Sequence, residues 1–291
     1  MNILIIGGSG FLGSHISDEL QNRGHCVTIL DKKKSKWFNK KNFFICGDIT
    51  DTRILEKAIK NNDVVYHFAG IADIAEGLKN PLSTAKINII PTINIMNLCV
   101  KNKVKKFIFA STIYVHSSQG GFYRVSKKSS ELYIIEFGKI FKLNFNILRY
   151  GTIYGPRSNL NNNLSRIIFN ALTKNILKYP GSSKALRKMI HVKDAAKLSA
   201  DILGKKFMNK RVVLITGKKF IQIKEIIKKI KNQLQIKKKI TYENRKNLGH
   251  YIKSPYVNKE IKEYPSYPKK FIDIDHGISE MINFMRKEYN I

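Results

Sequence analysis

The sequence predicts an α/β protein: a doubly wound parallel sheet with a smaller C-terminal α/β region attached. Three observations lead there. Short runs rich in Val, Ile and Phe alternate with longer segments of helical periodicity through the first 150 residues. The runs are too apolar to leave one face in water, which suits strands covered by helices on both sides. The first run also ends in a glycine-rich turn that opens directly onto a helix, as a βαβ unit begins.

Taken in order, "NILIIG" (2–7) reads as a buried strand and "FLGSHISDELQNRG" (11–24) as a helix. "HCVTILD" (25–31) and "NFFICGD" (42–48) are the second and third strands, and "TRILEKAIK" (52–60) a helix. "DVVYHFAG" (63–70) is a strand, followed by a long helix around 80–102 and the strand "VKKFIFAS" (104–111). A helix from about 123 to 141 and the strand "LNFNILRY" (143–150) complete the series. After 157 the rhythm loosens: "SNLNNNLSR" is polar, "YPGSSKALRK" (179–188) resembles a loop, and "RVVLITG" (211–217) returns as a strand. No Pro/Ser-rich linker intervenes. The expected division is residues 1–157 for the main sheet and 158–291 for the second region, with 189–217 partly rejoining the sheet.

Composition narrows the class. The 291 residues, 43% of them hydrophobic, suffice for one large domain or one domain with an appendage. Stretches such as 87–100 are broken by Asn, Thr and Pro, and none reaches the about 18 apolar residues of a membrane span. The chain runs from its first residue into a strand without a basic leader, so a soluble cytoplasmic protein is expected. Three cysteines, Cys26, Cys46 and Cys99, form no CxxC pair, and the seven histidines are scattered. Neither a disulfide framework nor a metal site is expected, only reduced buried thiols. The net charge of +32 would suit a nucleic acid or an acidic small substrate. The lysines are spread along the whole chain, however, in company with many Ile and Asn. In 221–239 they fall opposite Ile223, Ile226, Ile227, Ile230 and Leu234, as on a solvated helix face. That distribution argues against a nucleic-acid partner.

"GGSGFLG" sets Gly7, Gly10 and Gly13 at GxxGxxG spacing between the first strand and the first helix. Such a turn lets backbone approach a pyrophosphate, and the helix end adds N–H donors and a positive dipole. Asp31 ends the second strand 18 residues past Gly13, where a carboxylate can accept from the adenosine ribose hydroxyls. A carboxylate there repels a 2′-phosphate and favours NAD over NADP, although Lys32, Lys33 and Lys34 follow at once.

With these motifs in this order the sequence resembles the extended short-chain dehydrogenase/reductases, the NAD-dependent sugar-nucleotide epimerases and dehydratases. The resemblance covers most of the chain and implies a Rossmann-type fold. "GGSGFLG" resembles the cofactor loop, which brings in Phe11 and Leu12 beside the glycines. "GDITD" (47–51) looks like the adenine segment, with Asp48 and Ile49, and "HFAG" (67–70) like the cofactor-lining strand end, with Phe68, Ala69 and Gly70. "LRYGTIYGPR" (148–157) and "MIHVKDAA" (189–196) resemble two further signatures beside the substrate pocket. The resemblance also implies cofactor contacts from Asn88 and Tyr150.

It also gives meaning to "GGFYRVSKKSSE" (120–131), where Tyr123 and Lys127 lie one helical turn apart and so on one face. A phenol of pKa about 10 is a poor base at neutral pH, and a neighbouring ammonium favours its phenolate. The resemblance makes Tyr123 the base toward a sugar hydroxyl, Lys127 its activator and Thr112, ahead of Ser111, the hydroxyl that steadies the reacting oxygen. Only ten residues separate Thr112 from Tyr123, which shortens one wall of the pocket. Pro91 should kink the long helix after Asn88, and Thr152 stands where the family often has Asn.

Ile113 and Tyr114 follow Thr112, where dehydratases of the family carry an Asp-Glu pair and decarboxylases a Glu. Elimination needs such a proton shuttle, so a 4-epimerase acting through a transient 4-keto sugar is expected. A reductase or dehydrogenase stands next, with a dehydratase disfavoured; a non-catalytic dinucleotide- or RNA-binding relative is the rival class. Arg187 matches an arginine that pairs with the diphosphate, a bidentate role, and Asn163 and Leu164 resemble a nucleotide-sugar contact. The implied substrate is a nucleoside-diphosphate sugar, and the implied assembly a homodimer through the helices at 80–102 and 123–141.

Overall fold

The structure, a computed structural model, describes residues 1–204, 209–243, 252 and 270–291. The rest of the C-terminal region expected at 158–291 lies outside the described residues. Six strands follow the apolar runs of the first half: β1 Asn2–Ile6, β2 Cys26–Asp31, β3 Phe43–Cys46, β4 Val64–His67, β5 Lys106–Thr112 and β6 Phe145–Tyr150. Six α-helices connect them: α1 Phe11–Asn22, α2 Thr52–Ile59, α3 Ile74–Lys79, α4 Pro81–Asn88, α5 Ile90–Lys101 and, between β5 and β6, α6 Gly121–Ile140.

The long helix expected at 80–102 is therefore two helices, broken at Ile89. Pro91 sits in the first turn of α5, where its missing N–H costs nothing. The expected kink is present at Ile89, whose own backbone stays in the helical region.

Beyond β6 come β7 Thr152–Tyr154, α7 Asn163–Lys174, β8 Lys178–Tyr179, β9 Leu186–Arg187, β10 Met189–His191 and α8 Val192–Asp201. They are followed by β11 Arg211–Ile215, β12 Ile221–Gln222, α9 Ile223–Gln233, β13 Thr241–Tyr242 and α10 Ile274–Tyr289. The stretch read as polar and Asn-rich opens α7, because the Asn162 side chain accepts from the N–H groups of Leu164 and Ser165 and caps it. The expected loop at 179–188 is flanked by two short strands, which pair outside the main sheet.

The main sheet has seven strands in the order β11-β6-β5-β4-β1-β2-β3, every neighbouring pair parallel. Successive strands run outward from β1 in one direction and from β4 in the other, so the crevice lies at the C-terminal ends of β1 and β4. One hydrophobic cluster fills the space under α1 and α8, and a second fills the opposite face under α2, α5 and α6. A third cluster joins α7, α9 and α10. In α9, Ile223, Ile226, Ile227 and Ile230 are buried while Lys224 and Lys228 are exposed, each buried isoleucine contributing about 1.5–3 kcal/mol.

Of the three cysteines expected to be buried, only Cys99 is; Cys26 and Cys46 are exposed, at one end of β2 and of the edge strand β3. Among the described residues no helix is long and apolar enough to cross a membrane.

Candidate active site

The turn after β1 is shaped by close backbone contact. A Cβ on Gly13 would stand 2.3 Å from the Gly7 carbonyl oxygen, and Gly7 itself has φ +86°, so a side chain at either position would break the turn. At Gly10, the N-cap of α1, a Cβ would meet only the Gly7 carbonyl, at 3.3 Å. No side chain caps α1 and its first turn carries no acidic residue. Its N–H groups and positive dipole end therefore face the crevice in the manner of an anion site.

Asp31 stands beside this turn. Its Oδ2 accepts from Ser9 N at 3.0 Å and its Oδ1 from Lys32 N at 2.8 Å, which fixes the carboxylate against the glycine loop. Asp48 is half-buried and pairs with Lys32 Nζ at 2.7 Å, and that bond holds its carboxyl below the usual range. Lys34 lies over the rings of Phe38 and Phe44, at 4.8 and 5.2 Å. Two of the three lysines that follow Asp31 are thus engaged locally. Ile49 is buried beside β1 and β2 in the sheet core.

On the β4 side, Phe68 and Ala69 donate their N–H groups to the Ile6 carbonyl, which ties the two strand ends together. Asn88 is buried: its Oδ1 accepts from Ile71 N at 2.8 Å, and its Nδ2 donates to Ile71 O and to Ser126 Oγ. It anchors the segment after Gly70 to α6. The Tyr150 hydroxyl, expected at the cofactor, is hydrogen-bonded to Ser199 Oγ of α8 at 2.7 Å. Its polar end is committed to α8 on one face of the sheet.

Two glycines in the left-handed region, Gly120 (φ +99°) and Gly121 (φ +49°), turn the chain into α6. Lys127 Nζ donates to Ala110 O at 2.9 Å, lies 4.6 Å from the Phe109 ring centroid, and is 4.0 Å from a Cβ position at Gly70. Burial lowers it to about 8, with the Glu131 carboxylate opposing. The Tyr123 hydroxyl is hydrogen-bonded to the Thr112 side chain; burial pushes the phenol up to about 12 and that bond works against it. Burial thus opposes the lowering that the Tyr–Lys spacing led us to expect.

Ser111, the second candidate hydroxyl, is engaged elsewhere. It donates to Glu131 Oε1 at 2.5 Å, and Glu131 also takes a bidentate pair from Arg149, at 2.9 and 2.6 Å. The alternation of β5 explains the difference: neighbours on a strand point to opposite faces, so Thr112 and Ser111 cannot both look at Tyr123.

A cavity of about 450 Å³ opens in front of Tyr123 and Thr112. Thr152, Asn163, Leu164 and Arg187 all line it. Arg187 is buried and donates to Leu186 O at 2.8 Å. The Asn163 amide oxygen accepts from Arg166, which also lines the cavity. Further lining comes from Asp73, Tyr114, Tyr179 and the isoleucines at 223, 226 and 227. The sequence reading had not assigned these to the site. For Asp73 a signal was present, since Asp at 73 and Glu at 76 have the spacing of a helix N-terminus.

A profile of the NAD dependent epimerase/dehydratase family matches residues 3–215. The chain belongs to that family. A putative UDP-glucose 4-epimerase of Methanocaldococcus jannaschii is 28% identical over 98% of each chain. A UDP-N-acetyl-alpha-D-glucosaminuronate decarboxylase of Bacillus cytotoxicus is 30% identical over 70% of this chain and 71% of its own. Among solved structures, UDP-glucose 4-epimerase of Thermotoga maritima with UDP-glucose aligns with a TM-score of 0.88 at 24% identity, over 99% of this chain and 100% of that one. As a member of the epimerase/dehydratase family the protein is an enzyme with a dinucleotide cofactor, and the uncapped helix end, the bare Gly10 and the fixed Asp31 fit one.

Proposed function

We propose that the protein is an NAD-dependent nucleotide-sugar 4-epimerase that works through a transient 4-keto sugar. The observation that carries the reading is the Tyr123–Thr112 hydrogen bond at the wall of a cavity that also takes in Thr152, Asn163, Leu164 and Arg187. NAD would be held by Gly7, Gly10, Phe11, Leu12 and Gly13 at its diphosphate, by Asp31 at the ribose and by Asp48 and Ile49 at the adenine. Phe68, Ala69, Gly70, Asn88 and the β6 end at Tyr150 would border its other half. The bound dinucleotide supplies a reversible two-electron acceptor with a positive ring in its oxidised form.

The chain's own groups then have separate tasks. Tyr123 takes the proton of the sugar 4-hydroxyl and returns it once the ketone has presented its other face. Its phenol, raised by burial, reaches the phenolate through the combined positive charge of Lys127 and the oxidised ring. Thr112 holds the reacting oxygen, and Arg187 binds the diphosphate as a bidentate donor. Ser111 serves the buried Glu131–Arg149 pair instead of the substrate.

Ile113 and Tyr114 line the cavity beside Thr112, where elimination or decarboxylation would need carboxylates. Asp73 is the one carboxylate among the described lining residues, and it stands at the start of α3, away from the two positions after Thr112. A homodimer through α4, α5 and α6 is supported by their exposed apolar side chains. Phe122, Val125, Leu132 and Ile140 stand exposed along α6, with Leu82 and Ile90 on the neighbouring helices. Sedimentation of Leu132→Glu should give monomer where the native chain gives dimer.

The deciding experiment is proton NMR of the protein with NAD and UDP-, dTDP-, GDP- and CDP-sugars. A new anomeric signal from a product of equal mass, without net NADH, is the expected result, with a UDP-sugar converted. Loss of water or carbon dioxide, or accumulating NADH, would replace the epimerase reading.

A further inference from the structure

Sugar nucleotides differ at C6, which is a neutral hydroxymethyl group in hexoses and a carboxylate in uronic acids. Resting on the 4-epimerase reading, we propose that Asp73 sets the sugar specificity by refusing a carboxylate at the reacting end of the cavity. Asp73 is the N-cap of α3; its Oδ1 accepts from Ala75 N at 2.7 Å and Glu76 N at 3.1 Å. The same residue lines the cavity with Tyr123 and Thr112. Its helix is pressed against the base: a Cβ on Gly77 would stand 3.4 Å from Tyr123 N and 3.6 Å from Tyr123 Cβ. Asp73 caps that same helix and lines the cavity next to Ile74 and Ala75, so it belongs to the element that packs on Tyr123.

The other charges leave that end uncompensated. Among the described residues lining the cavity the charged ones are Asp73, Arg166 and Arg187. Both arginines belong to C-terminal elements, α7 and β9, which suit a diphosphate. Arg124 and Lys127, on α6 with Tyr123, do not line the cavity. A uronate would therefore bring a second carboxylate toward a fixed one between walls that include Ile74 and Ile113, where like charges repel far more than in water. A hydroxymethyl group meets no such cost and can donate a hydrogen bond to the carboxylate. The specificity comes from a repulsive element aimed at the wrong substrate.

The test compares UDP-glucose with UDP-glucuronate in the full chain with NAD, native and Asp73→Asn. Asparagine caps a helix as well as aspartate does, so the exchange removes charge and keeps α3. The native enzyme should favour UDP-glucose in kcat/KM by tenfold or more, roughly the weight of one partly screened charge pair. Asp73→Asn should shift the ratio about tenfold toward the uronate. An unchanged ratio, or a native enzyme that prefers UDP-glucuronate, overturns the proposal. If neither sugar turns over, the 4-epimerase reading loses these two substrates and is decided by the wider panel, while calorimetric affinities decide the role of Asp73. Weaker native binding of UDP-glucuronate, relieved in Asp73→Asn, sustains it; equal affinities in both proteins remove it.

Discussion

Lys127 Nζ donates to the Ala110 carbonyl oxygen at 2.9 Å, in the strand that ends in Thr112. The ammonium is thereby held between β5 and α6 with almost no water around it. The fall from 10.5 to about 8 corresponds to roughly 3 kcal/mol for keeping it charged at neutral pH. Between about pH 8 and 10.5 the unfolded chain binds the proton and the folded chain does not, so this residue's contribution to stability rises with pH across that window. Lys127→Met should therefore melt higher than the native protein at pH 7, by roughly 1–2 kcal/mol after loss of the Ala110 bond, while turnover disappears. A lower melting temperature would mean that the bond contributes more than the burial costs.

Tyr123→Phe removes the phenolic oxygen and its bond to Thr112 and leaves α6 otherwise intact. Turnover should fall by about a thousandfold or more, the order expected for loss of a general base. NAD affinity, followed by protein fluorescence, should change less than about threefold. Near-native turnover would show that another group takes the proton.

Asp31 accepts from Ser9 N and Lys32 N, so it shapes the glycine loop, and in the proposed reading it also meets the ribose. Asp31→Ala should weaken NAD and narrow the NAD-to-NADP affinity ratio by about tenfold, as removal of one charge from a phosphate contact would. Titration with each dinucleotide reads this directly. An unchanged ratio would place the ribose elsewhere.

Glu131 is buried with Arg149 and Ser111, both bonded to it. Glu131→Ala leaves the guanidinium uncompensated and should cost about 3–5 kcal/mol in urea unfolding. A loss below about 1 kcal/mol would show that water or His116, which also contacts Arg149, can replace the carboxylate.

The two hydroxyls at 111 and 112 show how far a linear reading reaches. Both fit the same motif, and nothing in their order says which one faces the tyrosine; the pleat of β5 and the position of Glu131 two turns along α6 decide it. The same holds for Tyr150, whose hydroxyl goes to Ser199, a residue 49 positions away. Cys26 and Cys46 were expected inside because cysteine favours cores, yet their places at strand termini expose them.

By itself the sequence determined the parallel sheet, the glycine turn, Asp31 and the Tyr123–Lys127 pair. Each depends on local spacing: strand and helix periods, the absence of Cβ atoms, one turn between two side chains. Tertiary structure alone decided which polar groups face the cavity and which are consumed by neighbours. It also brought Asp73, Tyr179 and the α9 isoleucines to the cavity that Thr112 and Tyr123 line. Those residues are far apart along the chain, and only long-range packing of α3, α7 and α9 around the sheet's crevice assembles their charges and apolar surfaces into one site.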